Sequence, residues 1–185
     1  MCPQILKLGK VEPRPIDINK VVHDFVKMIT PQVKKEGVVE FQVEVGLNLP
    51  MVVADRVQLI EILMNFMLNS LHAVRQNEGR PKVVKLKIFD KNEVVRMEVM
   101  DNGYGVPSRL IEDIFLPSVT TKLTEGTGLG LYRVRKIVDG YKGKVWAQSQ
   151  GKDKGATFIV ELPVYKGEAP TQVQPPKVQR IRKLN

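Results

Sequence analysis

The sequence predicts an α/β sandwich of the α+β kind, in which about three helices cover one face of a mixed, mostly antiparallel sheet. Three observations lead there. Apolar residues recur at helical spacing in three separated stretches. The alternating, strand-like stretches come in pairs compatible with hairpins. Strands and helices do not follow the regular strand–helix–strand alternation that builds a parallel sheet.

The first helix is expected in "RPIDINKVVHDFVKMITPQVKKEG". Asp17 suits the N-cap, and Val21, Val22, Phe25, Met28, Ile29 and Val33 keep helical spacing. Pro31 is expected to kink or interrupt it, because proline lacks the N–H a helix interior uses. Gly37 is expected to end it. "VVEFQVEV" alternates like a half-buried strand, and "LPMVVAD" reads as a short second one. Asp55 then caps a long helix, "RVQLIEILMNFMLNSLHAVRQN", stopped at Gly79, Arg80 and Pro81. "KVVKLKIFD" and "EVVRMEVMD" alternate and meet at Lys91 and Asn92, a hairpin. "SRLIEDIF" is short and helical or irregular. "GLGLYRVRKIVDGY" reads as the third helix, ending near Gly140, and "GKVWAQSQ" and "GATFIVELP" close the order as paired strands.

At 185 residues, 43% hydrophobic and 26% charged, the chain suits one globular domain with a substantial core. No uninterrupted apolar run approaches the ~18 residues of a membrane span, and "MCPQILKLGKVEP" lacks the pattern of a secretory signal. Cys2 is the one cysteine, so a reducing, cytoplasmic setting is expected for the domain, whether or not the full-length protein is membrane-anchored. Residues 1–13 read as the end of a preceding helical region or a linker, and 14–165 as the domain. Residues 166–185, rich in Pro, Gln and basic side chains, read as a flexible tail or linker. The net charge of +9 and pI of about 9.7 fit nucleic acid, an anionic membrane or a polyphosphate ligand. Aromatics make up only 6% and none is interleaved with basic residues, so no nucleic-acid partner is expected.

Three stretches carry chemistry. On the long helix Glu61, Asn65 and Asn69 stand four apart, and each step drifts only ~40° around the axis, so they share a face. Their spacing fits solvent-facing amides first, and also allows a side-chain oxygen for a hard cation such as Mg²⁺. In "VMDNGYGVP" a strand ends at Asp101, placed to accept hydrogen bonds from a ligand amino group. Gly103 and Gly105 let the backbone pass closely, although Asn102-Gly103 is also an ordinary turn signal. In "TTKLTEGTGLGL", Gly126, Gly128 and Gly130 precede a helix with Lys122 upstream, an arrangement suited to phosphate and also to a flexible loop capped by glycine. It has neither P-loop spacing nor G-x-G-x-x-G, because position 131 is leucine.

Taken in order, these stretches resemble the ATP-binding catalytic domain of bacterial two-component sensor histidine kinases, within the gyrase, chaperone, histidine kinase and mismatch-repair superfamily. "NFMLNSLHAV" resembles the N box, "DNGYGVP" the G1 box, "IFLPSVTTK" the F box and start of the ATP lid, and "GTGLGL" the G2 box. Pro117–Val119 departs from the pattern in lacking an aromatic.

The resemblance implies a Bergerat fold with a flexible ATP lid, and ATP and Mg²⁺ as cofactors. It implies that Asp101 accepts the adenine amino group, helped by Thr157 and a water, in a site shared with Ala73, Gly103, Gly105 and Val106. Asn69 would hold Mg²⁺, with Asn65 close by in a catalytic role and His72 one turn on. Thr121, Lys122, Gly126, Thr127, Gly128, Leu129, Gly130 and Leu131 would serve the phosphates, Lys122 also in catalysis. Phe115 would anchor the lid. The partners it implies are a phosphoacceptor histidine on a dimerisation hairpin of the same kinase and, indirectly, a response regulator. The isolated domain is then a monomer and the full-length kinase a dimer. The upstream histidine, His23, has Met28 where the acceptor motif carries proline, so the acceptor is expected outside this chain. Two other functions compete: an ATP-hydrolysing switch of the gyrase or chaperone kind, and a nucleotide-binding module without transfer activity. The first needs a glutamate base four residues before the metal asparagine, where this chain has Asn65.

Overall fold

The structure is a computed structural model that describes residues 11–37, 39–117 and 128–167. The elements run β1 (Arg14–Ile16), α1 (Ile18–Lys35), β2 (Val39–Val45), β3 (Val52–Ala54), α2 (Arg56–Arg75), β4 (Lys82–Lys91), β5 (Val94–Asp101), α3 (Gly130–Gly140), β6 (Lys144–Gln148) and β7 (Ala156–Pro163). Two single 3₁₀ turns, Ser108–Leu110 and Asp113–Phe115, follow β5.

Asp17 and Asp55 are the N-caps expected of them. Asp17 accepts the Asn19 N–H, and Asp55 accepts those of Val57 and Gln58. The expected break at Pro31 does not occur, and α1 runs through it to Lys35. The proline costs one helical bond, to the Lys27 carbonyl. Both residues lie on the exposed side, where water can serve that carbonyl.

The main sheet has the order β2-β4-β5-β7-β6, with β2 and β4 parallel and every other pair antiparallel. Both expected hairpins, β4–β5 and β6–β7, are present. The pairing of β2 with "LPMVVAD" is not. That stretch, β3, leaves the sheet and pairs with β1, and Val52 also bridges to Val164. Only three residues long and holding Pro15, β1 is too short for an alternation to reveal.

Strand alternation sends Val84, Leu86, Ile88, Val95, Met97, Val99, Val160 and Leu162 to one face, all essentially buried. Against them lies α2, flanked by α1 and α3. Its Leu59, Ile62, Leu63 and Phe66 are buried, and Phe66 stacks on Phe158 with centroids 5.4 Å apart. By length and composition α2 could cross a membrane, but its apolar side chains form the centre of this core.

The other face of the sheet is closed by its own ions. Lys85 pairs with Glu44 at 2.7 Å. Arg96 reaches Glu161 at 2.5 Å and Glu98 at 3.5 Å, with its guanidinium 5.2 Å from the Trp146 ring centre. Oppositely charged side chains on neighbouring strands stabilise such a face without a helix over it.

Candidate functional site

A cavity of about 60 Å³ opens between α2, the end of β5 and the start of β7. One water occupies ~10–15 Å³ of cavity, so several waters or part of a flat ring fit. Asn69 and Ala73 enter from α2, Asp101, Gly105 and Val106 from the end of β5 and its loop, Leu131 from α3, and Ala156 and Phe158 from β7. Asp101 and Asn69, far apart in the chain, thus share one cavity.

Asp101 is the last residue of β5, on the same face as Val95, Met97 and Val99, so its carboxylate turns under α2. Its Oδ1 accepts the N–H of Gly103 at 2.9 Å and of Ala156 at 3.3 Å. Its Oδ2 accepts the Ser70 hydroxyl at 2.9 Å. Burial pushes the carboxyl pKa above the ordinary 3.8, and the bonds from Gly103, Ser70 and Ala156 oppose that rise without cancelling it.

The sign of the resulting pH dependence is the reverse of the usual paired carboxylate. The native protein binds a proton more readily than the unfolded chain, so stability falls as pH rises from 3.8 through the native pKa and is level above it. A ligand N–H on the carboxylate would favour its charged form and lower the pKa. Carbon-13 NMR of the Asp101 carboxyl is therefore expected to show a midpoint above 3.8 in the nucleotide-free protein and a lower one with an ATP analogue bound. A nucleotide-free midpoint at or below 3.8 would contradict this.

The glycines of the loop after β5 are required by contact. A Cβ on Gly103 would lie 2.5 Å from the Ala73 Cβ, so the loop touches α2 directly. Gly105 has φ +74, and a Cβ there would lie 2.1 Å from the Gly151 carbonyl oxygen.

No hydrogen bond among the described residues ties up the Asn69 amide, which is half-buried at the cavity wall. Asn65 is different. Its Nδ2 donates to the Glu61 carbonyl at 2.9 Å, and its Oδ1 abuts the start of α3, where a Cβ on Gly130 would come within 2.4 Å. Glu61 itself pairs with Arg133 of α3 at 2.8 Å. The polar stripe read from the sequence is real, but two of its three members join α2 to α3.

Gly128 has φ +67, and α3 begins at Gly130 with no side-chain cap at Leu129. Its first N–H groups, which lack helical acceptors, are thus left for another acceptor near the cavity that Leu131 lines. His72 stands beside the cavity-lining Tyr104, with Nδ1 3.5 Å from the phenol oxygen and the rings perpendicular. Phe115 is buried under the Arg135 guanidinium, 5.2 Å from the ring centre, and does not line the cavity. Ser118, Thr121, Lys122, Gly126 and Thr127 lie outside the described residues.

Thr157 is also not among the cavity residues. Asp101 pairs with Ala156 and Met100 with Thr157, so alternation places Ala156 and Phe158 at the cavity and turns Thr157 to the ion-paired face. Ala156 takes the place expected of Thr157, and it acts through its backbone N–H. Ser70, Tyr104, Ile114, Ala156 and Phe158 were not singled out from the sequence. For Ser70 a signal existed, a small hydroxyl inside an apolar helical run, which when fully buried needs a partner.

Residues 54–166 match the family of histidine kinase-, DNA gyrase B- and HSP90-like ATPases. The chain is 30% identical over 163 residues to the sensor histidine kinase ZraS of Escherichia coli K12, covering 87% of this chain and 33% of that protein. It is 32% identical over 156 residues to the sensor protein FixL of Bradyrhizobium diazoefficiens, covering 84% and 30%. The chain thus spans a third or less of the length of these relatives. Among solved structures it resembles the nucleotide-free catalytic domain of the histidine kinase ThkA, with TM-score 0.71 and 31% identity over 83% of this chain and 96% of that one. It also resembles full-length ShkA in complex with AMPPNP, with TM-score 0.73 and 27% identity over 87% and 33%. ThkA in complex with the response regulator protein TrrA gives TM-score 0.69 and 26% identity over 84% and 42%.

Proposed function

The chain belongs to the family of histidine kinase-, DNA gyrase B- and HSP90-like ATPases, with the fold of histidine kinase catalytic domains, and on that premise we propose that it binds ATP with Mg²⁺ and presents the γ-phosphate to a histidine on a helical hairpin. The observation that carries this reading is the shared cavity into which the half-buried Asp101 carboxylate and the Asn69 amide both open. ShkA, solved with the ATP analogue AMPPNP, supports the choice of nucleotide.

Each residue has a task its geometry suits. Asp101, held on both oxygens by Gly103, Ala156 and Ser70, accepts the exocyclic amine of adenine. Val106, Ile114 and Phe158 supply apolar walls for the ring. Leu131 and the uncapped start of α3 meet the phosphates with N–H donors. Among the described residues no three His, Cys, Asp or Glu side chains gather to hold a metal. This fits Mg²⁺, which keeps waters and phosphate oxygens and takes few protein ligands. Asn69 Oδ1 is the oxygen this chain would supply. The ion, when bound, neutralises developing charge on the transferring phosphoryl group. Lys122, from the segment after Phe115, is assigned to the same phosphates on the strength of the family pattern.

The acceptor histidine is placed outside these residues. His23 projects from α1, a helix whose Val21, Val22 and Phe25 are core, and His72 is engaged beside Tyr104. The relatives named above support a two-component signalling role, with a response regulator as the downstream partner. A dimeric full-length kinase and a cytoplasmic setting for this domain belong to the same proposal and rest on the family resemblance alone. Hydrolysis is disfavoured, because the Asn65 amide has no lone pair basic enough to take a proton from water and Glu61 is paired with Arg133.

The test is transfer of labelled phosphate from ATP to a separately supplied histidine hairpin of the same kinase. Label is expected on the hairpin, with release to water at least tenfold slower. Phosphate released at a comparable rate without labelled hairpin would favour an ATPase.

A further inference from the structure

We infer that Ser149, at the loop that follows β6, is a positioning residue for the purine end of the site; the inference rests on the nucleotide reading above. Its hydroxyl is saturated. It donates to the Gly155 carbonyl at 2.7 Å and accepts the N–H groups of Val106 at 3.0 Å and Gly151 at 3.2 Å. A serine hydroxyl has one proton and two lone pairs, so these three bonds use all of its capacity, and the Gly151 carbonyl at 3.4 Å can only share the proton given to Gly155.

Each partner belongs to the wall of the cavity or stands directly behind it. Val106 lines the cavity. The Gly151 carbonyl sits so close to Gly105 that a Cβ there would come within 2.1 Å of it. Gly155, at φ +69, is pressed against the Asp101 carbonyl, where a Cβ would lie 2.0 Å away. Immediately after Gly155, Ala156 gives its N–H to the Asp101 carboxylate. Two backbone bonds, Asp153 N–H to Tyr104 and Gly155 N–H to Gly103, run alongside. The loop after β5 and the loop between β6 and β7 are therefore interlocked, and among the described residues Ser149 is the one side chain that hydrogen-bonds to both. It does not touch the carboxylate. It fixes the two backbones that aim the carboxylate and form the ring's wall.

Removal of the hydroxyl leaves two N–H groups and a carbonyl without partners in a half-buried place, while Asn69 and the start of α3 are untouched. Ser149→Ala is expected to raise the dissociation constant for an ATP analogue about tenfold. The ratio of affinities with and without Mg²⁺ should stay as in the wild type, because the defect lies at the other end of the nucleotide. Ser149→Thr, which keeps the hydroxyl, should restore affinity to within about threefold of wild type.

Calorimetric titration of the three proteins, well below their melting temperatures, reads these values. Ser149→Ala binding as tightly as wild type, even with a lowered melting temperature, would reduce Ser149 to a structural residue and overturn the inference. A changed Mg²⁺ ratio, or no rescue by threonine in a folded variant, would also overturn it. Failure of the wild type itself to bind the analogue would instead bring down the nucleotide reading.

Discussion

Asp101→Asn is expected to weaken binding of an ATP analogue by on the order of a hundredfold, with the fold intact. The fold survives because asparagine has the same shape. Its remaining oxygen can accept the Gly103 and Ala156 N–H groups that now converge on Oδ1. Its amide nitrogen then faces Ser70, whose hydroxyl can reverse from donor to acceptor. The purine amine has no such freedom. It meets an N–H where it met a carboxylate oxygen, and a hydrogen bond to a charged group, worth ~1.5–3 kcal/mol, becomes a clash of two donors. Calorimetry with the analogue, alongside circular dichroism for the fold, checks both halves. Wild-type affinity in the variant would remove Asp101 from the site.

Asn69→Ala is expected to abolish the metal-dependent part of binding and to slow phosphoryl transfer by at least on the order of a hundredfold. The alanine variant in Mg²⁺ should bind the analogue as the wild type does without metal. This follows from position. Asn69 is the half-buried amide that α2 brings to the cavity, with no hydrogen bond among the described residues competing for its oxygen. Asn65, one turn earlier, is already committed to Glu61 and to the start of α3, so its alanine variant should leave the metal dependence in place. Affinity of Asn69→Ala that still rises with Mg²⁺ as in the wild type would refute the assignment.

Much of this architecture was legible in the sequence because local signals were strong. Asp17 and Asp55 announced their helices, and alternation marked β4, β5 and β7. The residues D-x-G-x-G placed a carboxylate at a strand end beside glycines that the structure shows are forced by contact with Ala73 and Gly151. What was not legible depends on pairing across the chain. Nothing local says that β3 leaves the sheet to join β1, or that Pro31 falls on an exposed side where a helix tolerates it. The exchange of Thr157 for Ala156 is a matter of parity. Both flank the same spot in sequence, and only the register of β7 against β5 decides which faces the carboxylate. Ser70 and Ser149 were missed for a related reason, since a hydroxyl's importance lies in what it reaches, and the partners that tie them to the site, Asp101 and Val106, are 31 and 43 residues away.

The central claim, that Asp101 reads the purine amine, is tested most directly by removing that amine from the ligand instead of the carboxylate from the protein. Titrating wild type and Asp101→Asn with ATP and with purine riboside triphosphate, both in Mg²⁺, gives the coupling between the two groups. Loss of the amine should cost the wild type on the order of a hundredfold and the variant less than about threefold. An equal penalty in both proteins, or none in the wild type, would mean that the base is recognised elsewhere.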